Sequence, residues 1–107
     1  METGQVVVEL ETELSEWLKR LPPRHFATVA FYLDLLATRG SQLAWPYARQ
    51  LDSKLRELRF HLDGRAVRIT YWIAPERRIV PLTVFMKART RPGFELARAR
   101  KALRQST

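Results

Sequence analysis

The most restrictive feature of this sequence is the dipeptide Asp63-Gly64, which separates two runs of alternating apolar and polar residues. Such a dipeptide is typical of a type I′ β-hairpin turn, in which both central residues adopt a positive φ. Residues 55–62 and 65–73 are therefore predicted to form two antiparallel strands. A turn of two residues also fixes the register of the hairpin, because it places Leu62 opposite Arg65.

This register gives the two faces of the hairpin different chemistry. It pairs Leu58 with Ile69 on an apolar face and Arg59 with Arg68 on the opposite face. Two arginines directly opposite each other across a ladder repel unless an anion lies over them. The pairing therefore indicates either an anion-binding surface or, as the alternative, a solvated basic face on an open antiparallel sheet.

A second turn is predicted over residues 74–77, followed by a third strand over 78–87. The register then places Leu82 near Ile69 on the apolar face. Alternation brings Lys87 to the opposite face, where it joins the two arginines. Arginine has a planar fork that suits phosphate oxygens, and lysine adds a point charge that can also transfer a proton. We call this surface the cationic face.

Helical spacing of apolar residues predicts two helices before the hairpin, with Pro22-Pro23 ending the first and Gly40 ending the second. Residues 41–53 are predicted to form a loop with a helical turn near 48–51. In chain order, the other elements are a strand at 6–8, helices at 11–20 and 24–39, the three strands, and a helix at 94–104. The order β-α-α-β-β-β-α predicts one α+β domain over residues 1–107. Its antiparallel sheet would carry the two N-terminal helices on one face, with a C-terminal helix completing the fold.

Charge and composition limit the classes of function that the chain can have. Nineteen basic and eleven acidic residues give a net charge of +8, so we expect an anionic partner. No apolar run is long enough to cross a membrane, and no secretory signal is visible at the N-terminus, so we expect a cytoplasmic location. With no cysteine and only two histidines, we expect no metal site and no cofactor.

Four segments together resemble the HigB-like branch of the RelE/ParE toxin superfamily, the group described as phage-derived proteins. The resemblance rests on the combination E-L-R, R-x-x-Y, F-x-K and T-x-P, which is more specific than any one piece. It covers roughly residues 50–100, and the order of the N-terminal elements also agrees. The four segments are 55–59, 67–72, 80–87 and 90–97.

The resemblance implies a type II toxin that enters the ribosomal decoding site and cleaves mRNA without a metal ion. In this chemistry the 2′-hydroxyl of the RNA attacks the adjacent phosphate. The matching positions imply catalytic roles for Arg59, Arg68 and Lys87. Where the family commonly has a second lysine, this chain has Ala88. The implied partners are the ribosome, mRNA and a cognate helix-turn-helix antitoxin.

Four further residues are predicted to contact RNA. Alternation places Trp72 and His61 on the cationic face, and Arg89 and Arg91 lie two and four residues after Lys87. Trp72 offers a ring on which a base can stack, whereas His61 is not expected to act as the general base.

Two other functions stay open at this point. The ParE branch of the same superfamily inhibits DNA gyrase, and a basic domain can also bind RNA or the ribosome without catalysis. The cluster of arginine and lysine favours RNA cleavage, because inhibition of gyrase does not require phosphate chemistry.

Overall fold

The computed structural model describes residues 6–106, in which a five-stranded sheet is combined with three helices. In chain order the elements are β1 (Val7–Val8), α1 (Thr12–Lys19), α2 (Pro23–Arg39), β2 (Ala48–Gln50), β3 (Arg56–Leu62), β4 (Arg65–Ala74), β5 (Arg78–Met86) and α3 (Pro92–Ser106). The strand order is β1-β5-β4-β3-β2, with β1 parallel to β5 and the other pairs antiparallel. The predicted α+β fold is confirmed, with one strand more than expected.

Residues 1–5, on which the expectation about a secretory signal depends, lie outside the described residues. No helix within residues 6–106 has both the length and the apolar character needed to cross a bilayer.

The hairpin of β3 and β4 has the register predicted from the sequence. Leu58 pairs with Ile69, and Arg59 pairs with Arg68. Asp63 and Gly64 have φ values of 55° and 79°, so the turn uses the left-handed region that glycine adopts most easily. The prediction that the two arginines lie side by side is therefore confirmed.

The pairing of β4 with β5 differs from the prediction by two residues. Ile69 lies opposite Val84 rather than Leu82. One residue of this difference arises because the turn occupies only residues 75–77, and the other arises from a β-bulge after Thr70. As a result, Leu82 packs with the residues beneath α3 instead of with Ile69.

The main core lies between the sheet and the two N-terminal helices, as predicted. Tyr71 is fully buried there; burial raises the pKa of its hydroxyl, which accepts a hydrogen bond of 3.0 Å from Arg56 Nε. The helices contribute Leu14, Leu18, Val29 and Leu36, and the sheet contributes Leu58, Phe60, Val67, Ile69 and Tyr71. This packing leaves the opposite face of the sheet for α3 and for the cationic side chains.

The helical turn predicted near 48–51 is wrong, because residues Ala48–Gln50 form β2 and pair with β3. A three-residue strand is too short to show a periodicity of its own, and its conformation comes from the neighbouring strand. On the same side of the sheet as the cationic face, α3 covers a smaller apolar cluster that includes Leu55 and Ala99.

Replacing Ile69 by alanine is expected to lower the free energy of unfolding by about 2–5 kcal/mol, because Ile69 is fully buried in the main core. Urea denaturation followed by circular dichroism measures the effect. Phe31→Ala serves as the control, since Phe31 is 61% exposed on α2, and should change stability by less than about 0.5 kcal/mol. Equal effects of the two substitutions would contradict this location of the core.

Candidate functional site

A cleft of about 430 Å³ opens between the cationic face of the sheet and the start of α3. The three residues predicted to be catalytic, Arg59, Arg68 and Lys87, all line it. Its charged lining consists of the cations Arg49, Arg59, Arg68 and Lys87 and the carboxylates Glu57 and Glu95. We call this space the cationic cleft.

The carboxylate of Glu57 lies at the centre of the arginines. It is 5% exposed, and its Oε1 accepts hydrogen bonds of 3.0 Å from Arg49 Nε and of 3.0 Å from Arg59 Nη1. The same oxygen lies 3.8 Å from Arg68 Nε. One carboxylate thus holds three guanidinium groups together, which leaves a surplus of positive charge.

Arg68 is buried in the floor of the cationic cleft, with only 5% of its surface exposed. Its Nη1 donates a hydrogen bond of 3.0 Å to the carbonyl of Val67. Burial, and after it the positive charge of Arg59, lower the pKa of Arg68, while Glu57 acts in the opposite direction. An arginine still keeps its charge at neutral pH, so the floor presents a poorly solvated cation to any bound anion.

Lys87 lies at the mouth of the cationic cleft. β5 ends at Met86, one residue earlier than predicted, and Lys87 begins a short 3-10 turn over Lys87–Arg89. Its side chain is exposed and lines the same cleft as Arg68. Lys87 is therefore free to move its ammonium group, whereas the two arginines are held by Glu57.

The start of α3 forms one wall of the cleft and is fixed to the rest of the protein by Arg98. Arg98 binds Glu95 on its own helix, with 3.0 Å between Nε and Oε1, and also binds Glu13 on α1. It donates a further bond of 3.1 Å to the carbonyl of Val84, whose N–H donates to Glu13 at 2.9 Å. These contacts connect α1, β5 and α3, so the wall is held by charged side chains.

Trp45 and Arg49 belong to the cleft although the sequence analysis did not find them. The guanidinium of Arg59 lies over the ring of Trp45, 4.4 Å from its centroid, and Trp45 is 66% exposed. Both residues come from the segment 41–53, which shows no clear periodicity. Alternation from Arg59 puts Glu57 on the cationic face, but its contact with Arg49 depends on β2.

None of the four residues predicted to contact RNA is among the side chains that line the cationic cleft, and they lie in different parts of the fold. Trp72 is a correction: it is buried beneath α3 and does not line the cationic cleft, so its ring is not available to stack on a base there. His61 is exposed and lines a neighbouring groove together with Arg59. Arg89 and Arg91 are exposed on the connection to α3, and Thr90 between them lines the cleft.

Within residues 6–106, no group of three or more histidine, aspartate or glutamate side chains is arranged to hold a metal ion.

The fold is that of the RelE proteins. The RelBE2 toxin–antitoxin complex from Mycobacterium tuberculosis matches with a TM-score of 0.58 and 22% identity over 78% of this chain and 99% of the other. The archaeal RelE–RelB complex from Pyrococcus horikoshii matches with a TM-score of 0.61 and 18% identity, and the match covers 80% of this chain and 99% of the other. A mutant of Escherichia coli RelE in the free state matches with a TM-score of 0.62 and 12% identity, and the match covers 91% of this chain and 96% of the other.

The chain belongs to the family of phage-derived proteins described as Gp49-like, whose model matches residues 16–105. This assignment confirms the family suggested by the sequence motifs. Among curated proteins, no significant match is found.

Glu57→Gln is expected to lower the free energy of unfolding by about 3 kcal/mol, because it leaves buried guanidinium groups without their counterion. Thermal denaturation at low salt measures the change. Glu16→Gln is the control, since its ion pair with Lys19 is largely exposed and should contribute less than about 1 kcal/mol. A Glu57 variant as stable as the control would show that the carboxylate does not hold the arginines together.

Proposed function

We propose that the protein is a type II toxin that cleaves mRNA on the ribosome and is neutralised by a cognate antitoxin. The observation that carries the proposal is the convergence of Arg59, Arg68 and Lys87 in one cleft, where the buried carboxylate of Glu57 pairs with the two arginines. The family motifs point to the same three residues. Two of the structures with a similar fold are complexes of a toxin with its antitoxin, which supports the proposed partner.

The proposed reaction uses the RNA itself as the nucleophile. The 2′-hydroxyl loses its proton as its oxygen bonds to the adjacent phosphorus, the bond from phosphorus to the 5′-oxygen breaks, and the leaving 5′-oxygen takes up a proton, so no net proton is consumed. The products are a 2′,3′-cyclic phosphate and a 5′-hydroxyl. Negative charge increases on the phosphate in the transition state, so pre-positioned cations accelerate the reaction.

Each cation has a distinct part in this proposal. Arg59 and Arg68 bind the phosphate oxygens, and they are suited to this because Glu57 and burial hold them in place. Lys87 is exposed at the mouth, where its ammonium supplies a third charge and a transferable proton.

The antitoxin is proposed to be a helix-turn-helix protein with a segment that neutralises the cationic cleft. A domain with a net charge of +8 attracts RNA without sequence preference, so an acidic or helical partner that covers the cleft would suppress toxicity. Displacement of α3 would serve the same end, because α3 forms one wall of the cleft.

Arg68→Ala and Lys87→Ala are each expected to lower the rate of mRNA cleavage by about 10²–10³-fold and to relieve growth inhibition. Primer extension on mRNA after induction, at equal expression, measures the effect. Arg39→Ala is the matched control, because it removes an exposed arginine from the last turn of α2, on the opposite side of the sheet. Full toxicity of either cleft variant would remove that residue from the proposed site.

Primer extension, combined with a DNA-supercoiling assay and an RNA-binding assay, separates the proposal from the two other functions. Discrete cleavage within codons supports it. Inhibition of DNA supercoiling without mRNA cleavage would replace it by gyrase inhibition, and RNA binding without either effect would replace it by a non-catalytic module.

Cleavage of ribosome-bound mRNA is expected to survive EDTA, provided that enough Mg²⁺ remains to hold the ribosome together. The reason is that the nucleophile is the hydroxyl of the substrate and the charge is neutralised by side chains. The fragments should carry a 2′,3′-cyclic phosphate, which end-group analysis with and without a cyclic-phosphate-opening phosphatase detects. Fragments with a 5′-phosphate would show that an activated water is the nucleophile instead.

A further inference from the structure

Trp45 combines a large exposed surface with a fixed position, which is an unusual pairing for a tryptophan. It is 66% exposed although it follows Leu43 and precedes Ala48, both of which are buried in the main core. Between these two anchors the chain forms a tight turn, closed by a hydrogen bond of 3.0 Å from Tyr47 N–H to the carbonyl of Ala44. The turn therefore holds an apolar ring out in solvent at a defined place.

The turn is also fastened to β3. The N–H of Arg59 donates a bond of 2.8 Å to the carbonyl of Tyr47, and Arg56 Nη2 donates one of 2.6 Å to the carbonyl of Leu43. The ring of Trp45 is thus positioned by the same strand that carries the arginines of the cleft. A ring held in advance loses little conformational entropy when a ligand binds to it.

One face of the Trp45 ring is occupied by the guanidinium of Arg59, with 4.4 Å between the guanidinium carbon and the ring centroid. Arg59 is also bound to Glu57, so its guanidinium contacts both the carboxylate and the ring. The exposure of Trp45 leaves the rest of the ring surface open to solvent beside the cationic cleft. An aromatic ring next to a row of cations is the arrangement by which proteins bind unpaired nucleic acid strands.

We propose that Trp45 stacks on an unpaired nucleobase of single-stranded RNA whose phosphate lies on Arg59 and Arg68. The inference rests on the proposed function and identifies its substrate as single-stranded RNA with a base that is neither paired nor stacked on its neighbours. Bases in a duplex are stacked on each other and offer no face to the ring. Trp45 thereby takes the stacking role that the sequence analysis gave to Trp72.

The test compares three labelled ligands of equal length: a single-stranded RNA, the same strand with abasic sites, and an RNA duplex. Fluorescence anisotropy gives the affinity of each ligand for the purified protein. We expect the wild type to bind the single strand about tenfold more tightly than the abasic strand. Trp45→Ala should abolish this preference, so that the single strand and the abasic strand bind with equal affinity.

Three control variants show whether an effect of Trp45→Ala arises from lost stacking, from the smaller size of the side chain or from a change in the fold. Trp45→Phe keeps an aromatic face and should retain most of the preference, whereas Trp45→Leu keeps apolar bulk and should lose it. Phe31→Ala removes an exposed aromatic ring on α2 and should behave as the wild type. Each variant is checked by thermal denaturation, and a normal transition is expected because the Trp45 side chain is outside the core.

The outcomes distinguish this inference from the proposed function. Absence of a base preference in the wild type, or its persistence in Trp45→Ala, would overturn the inference even if the protein cleaves mRNA. A preference that depends on Trp45 supports the inference even if Arg68→Ala shows that the cleft does not cleave RNA. Equal binding of all RNAs combined with loss of antitoxin binding in Trp45→Ala would assign the ring to a protein partner and overturn the inference.

Discussion

The ladder between β3 and β4 is the interaction on which both the core and the cleft depend. Its register is fixed at the Asp63-Gly64 turn, and it pairs Leu58 with Ile69 and Arg59 with Arg68. Because side chains alternate along a strand, a slip of one residue would bury the arginines under the helices and expose the core. The fold and the candidate site are therefore specified by one register, and neither can change without the other.

The carboxylate of Glu57 offsets the repulsion between the paired arginines, because it lies within ion-pair distance of both. Two like charges opposite each other in a ladder are unfavourable, and burial of Arg68 adds a desolvation cost. A single carboxylate reduces the repulsion without neutralising it, and the half-exposed Arg49 is partly solvated by water. A site of this kind keeps unneutralised positive charge in the free protein.

Alternation and turn chemistry are sufficient to predict the hairpin, the separation of its faces and the three residues that meet in the cleft. They do not predict the β-bulge after Thr70, which shifts the pairing with β5, because bulges are set by packing. Within the segment 41–53, the helical turn expected near 48–51 is wrong, since β2 takes its conformation from β3. Trp45 and Arg49 were missed for this reason.

Trp72 shows a different limit of sequence analysis. Alternation assigned it to the correct side of the sheet, where it packs with residues of the cluster beneath α3. The pattern along a strand identifies the face of a side chain, but it does not identify which part of that face another element covers. Here α3 covers the end that holds Trp72 and leaves the end that holds Arg68 open.

The contacts of Val84 have a consequence for the behaviour of the protein at high concentration. Beside β1, the N–H groups of Glu9 and Glu11 donate to the carbonyls of Ile79 and Pro81. Within residues 6–106, this backbone pairing ends before Val84, so the outer edge of β5 continues beyond its partner. At Val84 the side chains of Glu13 and Arg98 occupy the N–H and the carbonyl that a foreign strand would use. An unprotected edge invites intermolecular pairing and aggregation. Another molecule must displace Arg98 before it can extend the sheet at this point, so solubility and the shape of the cleft depend on the same ion pair.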